Sequence, residues 1–211
     1  MQEDEELYRR IEQAVDERLS GKRLKHVHSV SECAVKIARE YGVNEFDAKV
    51  AGLLHDWDKL LTDAEFPARM EELGIQTPEH VEYLWPVMHS FTGAEAVHRA
   101  FPELSDEIIS AIRNHTLGSL DMSDLDIVIF VADIVEPGRK ARKGWGIAEL
   151  RDLVGTVSLD ELYFAAYVQT MRSLVDRRRF IHPVAFDIWN GLVAKHHPVD
   201  VSRQGDASIV L

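Results

Sequence analysis

The chain has 211 residues, 45% of them hydrophobic and 28% charged, the proportions of a globular protein and enough for one domain with a full core. Its 24 Lys and Arg stand against 36 Asp and Glu, a formal charge of -12, which excludes the broad basic face that a polynucleotide partner requires. No apolar run is long enough to span a membrane, the acidic start MQEDEELYRR has no leader-like apolar stretch, and the lone Cys33 cannot close an internal disulfide, so a cytoplasmic setting is expected.

Leu7, Ile11, Ala14, Val15 and Leu19 repeat at helical spacing, and Gly21 supplies a stop. A second helix is predicted from Lys22 to Tyr41, closed by Gly42. Asn44 is placed to cap a third, through Ala48, Val50, Ala51, Leu53 and Leu54. Further helices are predicted over 64–73, 86–100, 105–115, 123–136, 147–154 and 158–177, with Pro67, Pro78, Pro102 and Pro137 near ends or in connections. The run RRRFIHP over 177–183 closes the last of them. IVIFVAD over 127–133 has the composition of a buried strand, yet the interval from Ser123 to Pro137 has the length of a helix. It is read as a helix buried on nearly every side. The expectation is an all-α fold, a helical bundle in one domain over residues 1–195, with an irregular tail over 196–211.

The strongest local signal is His55-Asp56 in AGLLHDWDK. Adjacent residues near a helix end point about 100° apart, so both side chains can reach one pair of cations. Ala48, Ala51 and Gly52 share a face with His55 and Lys59, and small residues there let another backbone come close. His26 opens an inward stripe with Val30, Cys33, Ile37 and Tyr41, whereas His28 lies with Glu32, Lys36 and Arg39 and faces water. His89 shares a face with Gly93, Ala96 and Val97, and His115 with Ile108, Ala111 and Ile112. Taken singly, each of these histidines reads as a core or boundary residue. Asp133 lies inside IVIFVADIV, where a bare carboxylate costs on the order of several kcal/mol, so it needs an arginine such as Arg113 or Arg139, or a metal ion. Together His26, His55, Asp56, His89, His115 and Asp133 form a nitrogen/oxygen set too large for one catalytic ion. They suit two divalent ions sharing a carboxylate, with Asp56 as the bridge.

The spacing H…HD…H…H…D is similar to that of the HD superfamily of metal-dependent phosphohydrolases. More narrowly, RLKH (23–26), AGLLHDWDK (51–59), HSFTGA (89–94), AIRNHTLG (111–118) and MSDLDIVIFVADIVEPGR (122–139) resemble the HD-domain symmetrical bis(5′-nucleosyl)-tetraphosphatases, a likeness that runs over residues 7–190. The resemblance implies an all-helical fold, hydrolysis of diadenosine tetraphosphate to two ADP, and a di-iron-type centre. Imidazole and carboxylate also accept manganese, cobalt or zinc. Trp57, Asp58, the segment 140–146 and the tail depart from the family's pattern, and none of these removes a ligand.

Phosphoanhydride hydrolysis needs an activated water and neutralised phosphates. Asp56, as the shared ligand, and Lys59, one turn past His55, are the catalytic candidates. Lys59 reads either as a point charge for phosphate or as a snorkelling surface lysine. Substrate contacts are also assigned to His89, His115, Thr116, Arg139 and Arg179. Arg139 follows the EPG helix stop and can present a bidentate guanidinium to phosphate, while Arg113 suits a structural ion pair equally well. Glu136 is placed to orient a ligand histidine. Trp57 and Trp85 either stack a base or belong to the core. The partner is then a dinucleoside polyphosphate or another nucleotide, with no nucleic acid polymer and no membrane. Rival readings are a phosphohydrolase of a mononucleotide or cyclic nucleotide, and a catalytically silent metal-bound regulatory module. A homodimer is the default assembly.

Overall fold

The computed structural model describes residues 2–139 and 146–197, which contain helices and, among the described residues, no strand. In chain order they are α1 (Gln2–Arg18), α2 (Gly21–Tyr41), α3 (Glu45–Leu54), α4 (Phe66–Leu73) and α5 (Val81–Ala100), then α6 (Asp106–Asn114), α7 (Asp124–Val135), α8 (Ile147–Leu153), α9 (Leu159–Asp176) and α10 (Pro183–His196). The caps explain most boundaries. The Asn44 side chain accepts from the backbone N–H groups of Phe46 and Asp47 at 2.9 and 3.2 Å. Ser123 and Ser158 open α7 and α9 in complete capping boxes, with Asp126 and Glu161 as the reciprocal partners. Gly42 and Gly74 close α2 and α4 in the left-handed conformation.

Three boundaries differ from the pattern-based expectation. Helix α1 stops at Arg18, and Gly21 opens α2 at φ +58° rather than ending its predecessor. Helix α5 starts at Val81, ahead of the expected 86, so Pro86 sits inside it. Proline gives up one backbone bond there, and burial of Leu84 and Met88 holds the extra turn in place. The run 177–183 ends α9 and does not end the helical fold. Pro183 starts α10, the Val184 N–H donates to the His182 ring at 3.3 Å, and Ala185, Ile188 and Leu192 are buried at helical spacing. Exposed Val184 and Phe186 interleave with those positions and blur the periodicity. Lys140 to Trp145, with most of the basic run 139–143, and the tail from Pro198 lie outside the described residues.

Helix α7 is the central element. Every residue from Leu125 to Ala132 is buried, and the helix packs against α2, α6 and α9. Helix α3 lies so close to α2 that a Cβ on Gly52 would stand 2.8 Å from the Ser31 Cα, so the small face ahead of His55 is a requirement of packing. Among the described residues, no helix is long and apolar enough to cross a membrane. The outcome is a bundle in which the C-terminal ends of α3 and α6, the middle of α5, the start of α2 and the end of α7 converge.

Candidate metal centre

His55 ends α3 and Asp56 lies in the turn beyond it, both buried. The His55 Nδ1 donates to the Gly52 carbonyl at 2.8 Å, which leaves Nε2 pointing into the centre. His115 repeats the device at the end of α6, with Nδ1 donating to the Ile112 carbonyl at 2.7 Å. His26, near the start of α2, is oriented from further away: its Nδ1 is 3.2 Å from Glu136 Oε1. Glu136 is itself held by the Ser29 hydroxyl at 2.6 Å and the Gly138 N–H at 2.5 Å. Glu136 thereby fixes the orientation of the His26 ring. His89, from the middle of α5, brings its Nε2 to 3.1 Å from His115 Nε2.

The two oxygens of Asp56 face different histidine pairs. Oδ2 lies 3.4 Å from His55 Nε2 and 3.6 Å from His26 Nε2, whereas Oδ1 lies 3.2 Å from His89 Nε2 and 3.9 Å from His115 Nε2. The result is two groups of metal-ligand atoms, His26–His55–Asp56 and Asp56–His89–His115, each gathered within 4.8 Å. His26 Nε2 and His55 Nε2 are buried and satisfied by no hydrogen bond, although Asp133 Oδ1 lies 3.0 and 3.8 Å away. Buried imidazole nitrogens without a hydrogen-bond partner, gathered beside carboxylate oxygens, fit a divalent cation. Asp133 stands at the edge of the first group and is held by Arg139 at 2.5 Å, which decides between the two arginines considered as its partner.

Electrostatics follow from this crowding. Burial raises the Asp56 carboxyl, but His55 and His89 outweigh it and hold the group well below the usual carboxylate range. Asp133 is likewise kept far below that range against its burial, by His26 and Arg139. Burial lowers His55, yet Asp56 and Asp133 leave it above the ordinary imidazole value. His115 falls well below that value, first through burial and then through the neighbouring His55 and His89. The Lys59 ammonium lies 3.3 Å from the Pro86 carbonyl and 3.3 Å from each ring nitrogen of His89. Burial lowers its pKa, with Asp56 opposing and Arg23 and Arg139 assisting.

Some contributors carried no role in the sequence reading. Arg23, three residues before His26 on α2, sets its guanidinium on Asp56 Oδ2; the i, i+3 relation to His26 was the available signal. Asp58, beside the motif, is buried and ion-paired with Arg18 at 2.5 Å and Arg69 at 3.0 Å, so its charge is neutralised within the scaffold. The Thr116 hydroxyl is 2.9 Å from that of Ser90, joining the residues that follow His115 and His89. Arg113 forms no hydrogen bond or ion pair with any described residue. Arg179 lies exposed in the turn between α9 and α10, and no side-chain bond joins it to the centre. Trp57 is buried edge-to-face against Phe101 in the core, and partly buried Trp85 stacks on Phe66 of a smaller apolar cluster.

The family pattern of the HD domain matches residues 23–138, a span that starts at Arg23 and ends just past Glu136. A symmetrical bis(5′-nucleosyl)-tetraphosphatase of Bacillus subtilis (strain 168) is 30% identical over 182 residues, covering 85% of this chain and 94% of the relative. A protein of Mycoplasma genitalium named as a probable nicotinate-nucleotide adenylyltransferase/Ap4A hydrolase is 35% identical over 140 residues, 64% of this chain and 38% of its own length. Among solved structures, an HD superfamily hydrolase of Clostridium acetobutylicum, described as involved in NAD metabolism, superposes with a TM-score of 0.80 at 26% identity, covering 89% of this chain and 97% of that one. With its paired histidines arranged about the aspartate of the His-Asp motif, the chain belongs to the HD-domain family, among the relatives of the symmetrical bis(5′-nucleosyl)-tetraphosphatases.

Proposed function

We propose that this protein hydrolyses diadenosine tetraphosphate symmetrically, adding one water across the central phosphoanhydride to give two ADP. His26, His55, Asp56, His89, His115 and Asp133 would hold two divalent ions. Iron is the expected metal on the family resemblance, and the imidazole and carboxylate donors also accept manganese, cobalt or zinc. The observation that carries the reading is the two-sided placement of Asp56, one oxygen toward each histidine pair. When bound, the metal pair supplies a hydroxide near neutral pH and an electrophilic grip on the scissile phosphate.

The remaining work falls to residues of the chain. Glu136 accepts from His26 Nδ1 and so keeps Nε2 free to ligate. Lys59 offers a cation on the His89 side, and Arg139 one on the Asp133 side. Arg23 adds a third beside Asp56. A tetraphosphate spans several anionic groups, and cations on more than one side of the shared carboxylate can hold phosphate on both sides of the scissile bond. Thr116 supplies a hydroxyl at the His115 edge, and Arg179 is assigned to the distal part of the nucleotide. We place the reaction in the cytoplasm.

Product identification tests the proposal. Metal-replete protein given diadenosine tetraphosphate should yield ADP as the sole nucleotide. ATP with AMP would show asymmetric cleavage, and turnover of dNTP or a cyclic nucleotide in its place would select the mononucleotide reading. A fully metallated protein inert on all of these would be a regulatory module.

A further inference from the structure

Helix α7 ends at Val135, and the chain turns through Glu136, Pro137, Gly138 and Arg139. The Arg139 N–H closes the turn by donating to the Glu136 carbonyl at 3.0 Å. Two side chains of the turn serve the centre: Glu136 accepts from His26 Nδ1, and Arg139 donates to Asp133. The Glu136 carboxylate is bound to its own turn through the Gly138 N–H, and a Cβ on Gly138 would stand 2.8 Å from Oε2. A shift of the turn therefore carries the carboxylate with it. The last carbonyls of a helix have no partner within the helix, and Pro137 brings no N–H to the turn. Their donors must come from another element.

Arg151 of α8 supplies them. Its Nε donates to the Val135 carbonyl at 2.7 Å, and its Nη2 to the carbonyls of Glu136 at 2.7 Å and Arg139 at 2.9 Å. One guanidinium thus grips the end of the helix and both ends of the turn, a place where the helix dipole also favours a cation. Its bonds go to the main chain, and among the described residues no carboxylate pairs with it. Buried Ile147 and Leu150 seat α8, which packs on α7 and α9. Arg151 lies outside the stretch that the HD pattern matches, and no hydrogen bond or ion pair joins it to any of the six candidate ligands.

We propose that Arg151 is a positioning residue of the metal centre. By fixing the carbonyls of Val135, Glu136 and Arg139, it sets the Glu136 carboxylate against His26 Nδ1 and so aims His26 Nε2 at the cation. It touches neither metal nor phosphate. This role rests on the metal reading of the centre and is independent of which substrate is split. A lysine cannot take it over, because a single ammonium lacks the planar fork that reaches three carbonyls at once.

Cobalt(II) titration of metal-free protein, followed by its visible absorbance, reads the centre without any turnover. Arg151→Ala and Glu136→Ala should each weaken the tighter of the two cobalt affinities about tenfold and leave the other within about twofold. The double variant should lie within about twofold of Glu136→Ala alone, because both substitutions act through one contact. Arg151→Lys should resemble Arg151→Ala, and it decides alone if the alanine variant loses its helical circular dichroism. Unchanged cobalt affinities in the Arg151 variants would overturn the proposal. So would an equal weakening of both steps, the mark of general loosening, or a roughly hundredfold additive loss in the double variant. Wild-type protein that takes up no cobalt would overturn the metal reading and this role with it. If cobalt is bound and the Arg151 effect holds while diadenosine tetraphosphate is not split, the assigned reaction fails and the positioning role stands.

Discussion

On one side of Asp56, His26 and His55 sit with three carboxylates within reach, Asp56, Asp133 and Glu136, and the His26 side chain keeps 13% of its surface exposed. On the other side, His89 and His115 share only Asp56, are almost completely buried, and have the Lys59 ammonium against the His89 ring. The electrostatic consequence runs in opposite directions. His55 is held above the ordinary imidazole value by its two aspartates, whereas His115 is driven well below it by burial and neighbouring histidines. The first side carries more carboxylates, although Arg23 sits on Asp56 and Arg139 on Asp133 there. The second side offers neutral imidazoles, the form a metal needs, but places a competing positive charge beside them. The two halves of one centre thus differ in charge: the first sets its carboxylates against two arginines, and the second sets buried imidazoles beside a lysine.

The largest expected effect tests what the two sides have in common. Asp56→Ala removes both facing oxygens, so metal per chain should fall from about two to near zero and kcat/KM by about three orders of magnitude or more. Retention of one tightly held ion, seen by elemental analysis, would mean that the sides are independent. A smaller effect separates them. Graded chelation should empty the His89–His115 side first, giving a plateau near one ion per chain in a metal-content titration. His26→Ala should abolish that plateau, since it weakens the stronger side. Loss of both ions in a single step would contradict the charge asymmetry. Lys59→Ala and Arg139→Ala should each keep both ions and the fold while lowering kcat/KM about ten- to a hundred-fold, the value of one charge-assisted contact. Unchanged turnover in both variants would remove the phosphate role and leave the metal assignment intact.

The smallest effect on activity concerns the second aspartate of the motif. Asp58 lies two residues from Asp56, yet its partners are Arg18 of α1 and Arg69 of α4. Asp58→Asn should leave metal content and turnover near wild type and lower stability by about 1–3 kcal/mol, discounted because the Arg18 side chain is a third exposed. A thermal melt measures the loss. A change in metal stoichiometry would show that Asp58 serves the centre after all.

Much of this was readable before any coordinates. Helical periodicity places His26 on an inward stripe and His28 outside it, and His28 does turn to the surface Asp16 at 3.3 Å. The interval from Ser123 to Pro137 sets the length of α7 because its cap and its breaker act locally. Small residues before His55 announce a close helix contact, and Gly52 makes it with Ser31. The candidate ligand set was suggested by its resemblance to a family, since periodicity alone leaves each histidine equally at home in a core.

Other features depend on which helix ends meet, and period and propensity carry no such information. The partners of Asp58 lie 40 and 11 residues away along the chain, and Glu136 reaches His26 across 110. Arg23 had a helix face but no visible target until α3 delivered Asp56 to it. Helix α10 was missed because its buried positions alternate with exposed Val184 and Phe186. Local chemistry, then, determined from the sequence which residues could cap, break or ligate. Only the packing of α2, α3, α5, α6 and α7 decided that one carboxylate would face two histidine pairs, because a shared ligand is a distance between elements and no residue carries that distance alone.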